Sequence, residues 1–263
     1  MTWIKICGIT NLDDALAASD AGANALGFVF YPKSPRHVTL ETANSIVAKL
    51  PQSMEMEKVG VFVNETVDRV REVVKQVGLT AVQLHGDEST EFSRALFQEL
   101  ASGSARPMIF RTWPAKIFDA PAEQTVGWDP VAAGLVEPDE AYKGKRVHKI
   151  HVAKNGDLFL ETHGFRPGVI SGVLLDSSND ERRGGTGQAF DWERVQPWAG
   201  IINSISKLIV AGGLRPGNVQ EAIHLLHPWG VDVSSGVERE PGKKDPRKIR
   251  AFVQAVRAME EAS

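Results

Sequence analysis

The stretch that most limits how this chain can fold is residues 207–238, KLIVAGGLRPGNVQEAIHLLHPWGVDVSSGVE. Leu208-Ile209-Val210-Ala211 is a short apolar run, the pattern of a strand buried on both faces, and Gly212-Gly213 stop it. Pro216 and Asn218 open a helix whose apolar positions Val219, Ala222, Ile223 and Leu226 follow the i, i+3, i+4, i+7 rule. Pro228 and Gly230 end it, and Val231-Asp232-Val233 is a second strand closing on Ser234-Ser235-Gly236. The unit is βαβ, with a small-residue loop after each strand. Small residues there leave backbone N–H groups bare, and bare N–H groups suit an anion. One glycine pair after a strand is usually a plain turn. Two such loops, one βα unit apart near the end of the chain, point instead to a phosphate cup after strands seven and eight of a barrel. Gly212, Gly213, Ser235 and Gly236 are its expected residues.

The rest of the chain has the same rhythm. Strands are expected at residues 3–7, 25–30, 59–63, 81–84 and 172–176, each an apolar run closed by Gly or a polar residue. Helical stripes separate them: Ala43, Ile46, Val47 and Leu50; Val67, Val70, Val73, Val74 and Val77; Phe92, Leu96 and Leu100. Thr10, with Asp13 three residues on, reads as a capping-box start for the first helix. Ile249, Phe252, Val253, Val256 and Met259 mark the last one. Such alternation predicts a single-domain (β/α)8 TIM barrel over 1–263. The pattern loosens between about 101 and 168, so an insertion is expected around the fifth βα unit. Both 108–113 and 147–152 are candidates for the fifth strand, and Asn155-Gly156 after the latter is a two-residue hairpin signal.

Composition excludes several classes. A net charge of -3 without a basic block does not indicate nucleic acid. One cysteine allows no internal disulfide, which fits a reducing cytoplasm. Neither a signal peptide nor an apolar run of membrane-spanning length is present in the sequence.

In a barrel, chemistry sits at the C-terminal strand ends. Those ends carry Cys7, Arg36, Asn64, His85, Asp87 and Asp176. Cys7 precedes Gly8 at the open mouth, where helix N-termini are expected to depress its pKa and make it a base. Asp176 closes the apolar run 172–175, where burial would raise a carboxyl into the range of a general acid. Arg36 has the fork to bind a substrate carboxylate. His85 reads as a structural, hydrogen-bonded histidine. Gly184, Gly185, Thr186 and Gly187 lack the Lys-Ser/Thr of a P-loop and read as a hinged, mobile loop. His148 and His151 are three apart on a candidate strand, face opposite sides, and make no metal site.

These segments also resemble a known family. KICGIT, GFVFYPKSPR, VGVFVN, VQLHGDE, LLDS, GGTG with FDW, AGGLRPGNV and GVDVSSGVE with PGKKD, in that order, are similar to the phosphoribosylanthranilate isomerases of tryptophan biosynthesis. The resemblance implies a cofactor-free, metal-free barrel. It would act on a phosphosugar-anthranilate by an Amadori rearrangement, as a monomer or homodimer. It implies Cys7 as general base, Asp176 as general acid and Arg36 on the anthranilate carboxylate. It also implies Gly212, Gly213, Ser235 and Gly236 on phosphate, and 184–187 in a mobile loop. The chain is longer than is usual for the family, and the excess lies between Gln98 and Val173. Lys149 in HKIHV resembles the family's fifth-strand lysine, which favours 147–152 as strand five and about 107–145 as the insertion. Two rivals remain: a sister isomerase opening a phosphoribosyl group on an aminoimidazole, and a phosphosugar-binding barrel without catalysis.

Overall fold

The computed structural model describes residues 1–51, 55–101, 107–115, 136–138, 148–152, 158–162, 165–167, 169–177 and 189–261. Eight parallel strands close into a barrel in chain order. They are β1 (Trp3–Cys7), β2 (Ala25–Val29), β3 (Glu57–Phe62), β4 (Ala81–Leu84), β5 (Met108–Pro114), β6 (Gly172–Asp176), β7 (Lys207–Val210) and β8 (Gly230–Val233). Closure occurs at β1, where Lys5 lies between Ala25 of β2 and Asp232 of β8. The helices are α1 (Leu12–Asp20), α2 (Leu40–Lys49), α3 (Val67–Val77), α4 (Thr90–Ala101), α5 (Trp192–Ile205), α6 (Val219–Leu226) and α7 (Pro246–Glu261). The stripes expected from the sequence are the faces they bury: Val70, Val73, Val74 and Val77 on α3, and Val219, Ala222, Ile223 and Leu226 on α6.

Strand alternation divides each strand between two environments. On β1, Ile4 and Ile6 join the apolar layer under the helices, while Trp3, Lys5 and Cys7 belong to the barrel interior. The interior is layered. Its floor is apolar: Trp3, Ala25, Val59, Ala81, Phe110, Leu174 and Ile209, with Trp3 stacked on Trp229 at 5.1 Å between ring centroids. Above it lies a polar layer of Lys5, Gln83, Thr112 and Asp232, all buried. Cys7 and Asp176 sit higher still, at the strand ends.

Two expectations need correction. The fifth barrel strand is residues 108–114, not 147–152, so the insertion does not begin at 107. This strand pairs with β4 (Ala81↔Met108) and β6 (Gly172↔Phe110), and Phe110 completes the floor 5.7 Å from Trp3. Trp113, assigned to the insertion, is therefore core at 9% exposure. Residues 148–152, with Lys149, instead form an antiparallel ribbon with 158–162 (Ile150↔Leu160), and 136–138 pair with 165–167. A hairpin pairs locally, without the crossover that a parallel strand needs; the turn expected at Asn155-Gly156 falls outside the described residues. Helix α5 was not legible, because Pro197 lies inside it and removes one backbone donor. Lastly, Asn11 rather than Thr10 caps α1, its side chain accepting from the Asp14 N–H.

Candidate active site

The strand ends converge at one mouth of the barrel. Cys7 ends β1 and is 8% exposed; Asp176 ends β6, three strands away around the closed sheet, and is 7% exposed. Both expected acid–base residues are thus buried at the same end of the interior. The expectation of a depressed Cys7 pKa does not hold. Burial pushes the thiol up, Lys5 pulls against it, and Asp232 adds to the rise. A sulfur this enclosed is starved of water, and that outweighs the cations beside it.

Beneath Cys7 lies a buried polar chain that the sequence reading passed over. Lys5 Nζ donates to Gln83 Oε1 at 2.8 Å and to Asp232 Oδ1 at 3.1 Å. Burial opposes its charge, but Asp232 and Cys7 outweigh burial, so the ammonium pKa is raised. Gln83 Nε2 lies 3.0 Å from His85 Nδ1 and 3.3 Å from Thr112 Oγ1. His85 Nε2 in turn lies 3.8 Å from Asp176 Oδ2. Burial lowers the His85 pKa, against the opposing pull of Asp176, and so favours the neutral ring. A signal for these residues existed. Lys5 is two positions before Cys7, and Gln83 two before His85, so alternation alone puts each pair on one face.

Arg36 is placed at the mouth with its stem against Gly8, where an added Cβ would come 2.5 Å from Arg36 Cδ. Its fork is engaged already. Nε and Nη2 each donate to Glu238 at 2.8 Å, a bidentate pair that raises the guanidinium pKa. Glu238 also accepts from Lys244 Nζ at 2.8 Å. Burial alone would raise the Glu238 carboxyl, but Arg36 and Lys244 hold it below the ordinary range. Glu238 and Lys244 were missed as site residues, although both lie in segments that carry the family resemblance.

The two glycine loops do meet. Gly212 and Gly213 both take left-handed φ, +73° and +68°. A Cβ on Gly212 would collide with the Ser177 backbone, and one on Gly236 with the Leu214 carbonyl. The loops after β6, β7 and β8 therefore touch backbone to backbone, with Ser235 and Gly236 opening a short 3-10 turn (Ser235–Val237). Asn218 braces the second loop, donating to Gly213 O and accepting from Arg215 N–H. Asn64 and Asp87 tie two loops together: Asn64 Oδ1 accepts from the Asp87 N–H, knitting the loops after β3 and β4. Gly184, Gly185, Thr186 and Gly187 lie outside the described residues. No group of three or more His, Cys, Asp or Glu side chains among the described residues is arranged to hold a metal.

Residues 4–127 and 134–255 match the family described as N-(5'-phosphoribosyl)anthranilate (PRA) isomerase. The chain belongs to that family. A PRA isomerase of Myxococcus xanthus is 38% identical over 256 residues, covering 97% of this chain and 96% of the relative. The crystal structure of the phosphoribosylanthranilate isomerase from Thermotoga maritima superposes with a TM-score of 0.69 at 33% identity, covering 98% of this chain and 100% of that one. A further PRA isomerase structure, in complex with reduced 1-(o-carboxyphenylamino)-1-deoxyribulose 5-phosphate, has a TM-score of 0.66 at 32% identity and the same coverage. The similarity thus spans the barrel and every strand end that carries a candidate residue.

Proposed function

We infer that the protein isomerises N-(5-phosphoribosyl)anthranilate to 1-(2-carboxyphenylamino)-1-deoxyribulose 5-phosphate, an Amadori rearrangement in tryptophan biosynthesis. The family match over nearly the whole chain carries the reading. In this reading, Asp176 donates a proton to the furanose ring oxygen as the C1–O bond breaks. The anthranilate nitrogen lone pair then forms an iminium. Cys7 thiolate removes the C2 proton, and the electron pair flows into the C1–C2 bond to give an enolamine. Ketonisation adds a proton at C1 and removes one from the C2 hydroxyl. No atoms or electrons are gained overall, so the residues need only move protons, each transfer contributing about 10²–10⁴-fold.

The anthranilate carboxylate is assigned to Arg36, and the phosphate to Gly212, Gly213, Ser235 and Gly236. Three features support these roles. Glu238 takes only the Nε/Nη2 edge of Arg36, leaving N–H groups on its other edge. The two glycine loops are adjacent. Cys7 and Asp176 face one interior. A cytoplasmic monomer or homodimer is the companion reading. The single cysteine fits that location, and a related isomerase from Thermotoga maritima is described as dimeric, with monomers generated from it. Equilibrium sedimentation tests the oligomeric state.

The direct test is loss of fluorescence of freshly made phosphoribosylanthranilate on adding the purified protein. Cys7→Ala and Asp176→Asn should each remove nearly all turnover, a loss of at least about 10²-fold, while product binding stays measurable. Near-normal kcat in either variant would exclude that residue from its role.

A further inference from the structure

The proposed acid and base sit on strands three apart, yet one run of buried side chains joins them. We propose that Lys5 and Gln83 are positioning residues that couple the two catalytic groups: the Lys5 ammonium steadies the Cys7 thiolate as it forms and, through Gln83, turns the His85 Nε2–H toward Asp176. The inference rests on the Cys7 and Asp176 roles proposed above.

The orientation of each member follows from donor and acceptor inventory. Lys5 Nζ can only donate, so the Gln83 atom 2.8 Å away is its carbonyl oxygen. The Gln83 amide nitrogen, which can only donate, then faces His85 Nδ1 at 3.0 Å. Nδ1 must accept, and a neutral imidazole with an accepting Nδ1 carries its proton on Nε2. Thr112 fits the same assignment. Its Oγ1 accepts from Gln83 Nε2 at 3.3 Å and lies 3.1 Å from Nδ1. Nε2 is buried without a hydrogen-bond partner among the described residues, and Asp176 Oδ2 is 3.8 Å from it. A shift of under 1 Å on substrate binding brings this N–H into hydrogen-bond range.

The chemistry gives this arrangement a use. Once Asp176 has released its proton to the ring oxygen, it is a buried carboxylate, and an N–H donor stabilises it. Once Cys7 has to ionise, it is a buried thiolate, and the adjacent ammonium stabilises it. One ammonium, anchored to Asp232, serves both steps. Gly27 makes room for it: a Cβ there would stand 2.8 Å from Cys7 Sγ and 2.9 Å from Lys5 Cε. The charged groups acting on Cys7 are Lys5 from β1, Asp232 from β8, Lys244 from the segment after β8 and Arg36 from the loop after β2. Those acting on His85 are Asp176, Lys5, Asp232 and Glu88. Of the cations acting on Cys7, Lys5 pulls its pKa down most.

Cys7 is the sole cysteine, so the pH dependence of its alkylation by iodoacetamide reads this thiol alone. In Lys5→Met the alkylation midpoint should rise by about one pH unit or more, and Lys5→Arg should restore most of it. Lys5→Met with Asp232→Asn leaves no charge unpaired and stands in where the single variant fails to fold; its midpoint should also rise. In Gln83→Leu, kcat should fall about tenfold or more with KM little changed, while the Cys7 midpoint stays put. Nitrogen-15 NMR of ring-labelled histidine should find His85 as the Nε2–H tautomer in the unaltered protein and a mixture in Gln83→Leu. An unmoved Cys7 midpoint in a folded Lys5 variant, or an Nδ1–H tautomer in the unaltered protein, would overturn the coupling. Either result leaves the acid–base roles intact if Cys7→Ala and Asp176→Asn are inactive. Active Cys7→Ala would remove those roles while the Lys5 effect on the thiol still stood.

Discussion

Under the proposed function, Arg36 has to satisfy two carboxylates with one guanidinium. Its Nε/Nη2 edge is fixed by Glu238, which holds the plane still and leaves the remaining N–H groups for a ligand. Prepaid orientation of this kind lowers the ordering cost of binding. Arg36→Met is expected to raise KM about 30-fold, the equivalent of about 2 kcal/mol for a lost charge-assisted pair. Steady-state kinetics checks it; an unchanged KM with the loss confined to kcat would assign Arg36 elsewhere. Cys7 makes a prediction of its own. Burial raises its pKa, so the reactive thiolate is the minor form at neutral pH and becomes commoner as pH rises. The kcat/KM profile should therefore climb on its acid side through the Cys7 titration, and the same midpoint should appear in its alkylation. A profile flat from pH 6 to about 9 would mean that thiolate formation does not limit the free enzyme.

At the level of elements, what could be read from the sequence follows from how local each signal is. Strands β4 and β6 and the stripe of α6 were placed to the residue, because runs such as LLD at 174–176 or VQEAIHLL carry their own period. Cys7 and Asp176 were singled out as candidates because each ends a strand, and Arg36 because it lies in the loop after β2. The fifth strand was misassigned because HKIHV and MIFRTW are equally good local strands. Only the long-range register with β4 and β6, and the need for Phe110 on the barrel floor, separates them. Glu238 and Lys244 were invisible as site residues for the same reason, since Arg36, the partner of Glu238, is some two hundred positions away on the far side of the closure, and Lys244 joins the cluster only through Glu238. Lys5 was legible in principle by alternation with Cys7. The same close packing gives an element-scale prediction. Gly27→Ala on β2 puts a methyl against both Cys7 Sγ and Lys5 Cε. It should cost about 1–3 kcal/mol by overpacking and slow Cys7 alkylation, measured by urea unfolding and by iodoacetamide labelling. A variant equally stable and equally reactive would mean that β2 yields at that point.

Across the whole molecule, the two ends of the chain are fastened at the barrel mouth by one carboxylate. Glu238, just after β8, accepts from Arg36 of the loop after β2, from Lys244 Nζ and from the Gly242 N–H. Its backbone carbonyl takes Lys248 of α7, and the Lys244 N–H reaches Asp14 on α1. The clasp thus binds the last loop and helix to the first two βα units, across the seam where β8 meets β1. The Glu238 side chain is only 5% exposed, so its partners are screened little by water. Removing one member of such a buried pair costs about 3–5 kcal/mol, because the charges left behind have no replacement. Glu238→Gln should therefore be less stable than the unaltered protein by about that much at pH 7. The pH dependence has a definite sign. Arg36 and Lys244 depress the folded pKa of Glu238 below its unfolded value of about 4.3. The stabilisation is thus fully present above that unfolded value and is lost as pH falls through the lower folded one. Chemical denaturation from pH 7 down to about 3 should show the gap between the two proteins holding steady to about pH 5 and then narrowing. A gap that stays constant to the acid end would mean that Glu238 holds the seam by shape and hydrogen bonding, with its charge contributing nothing.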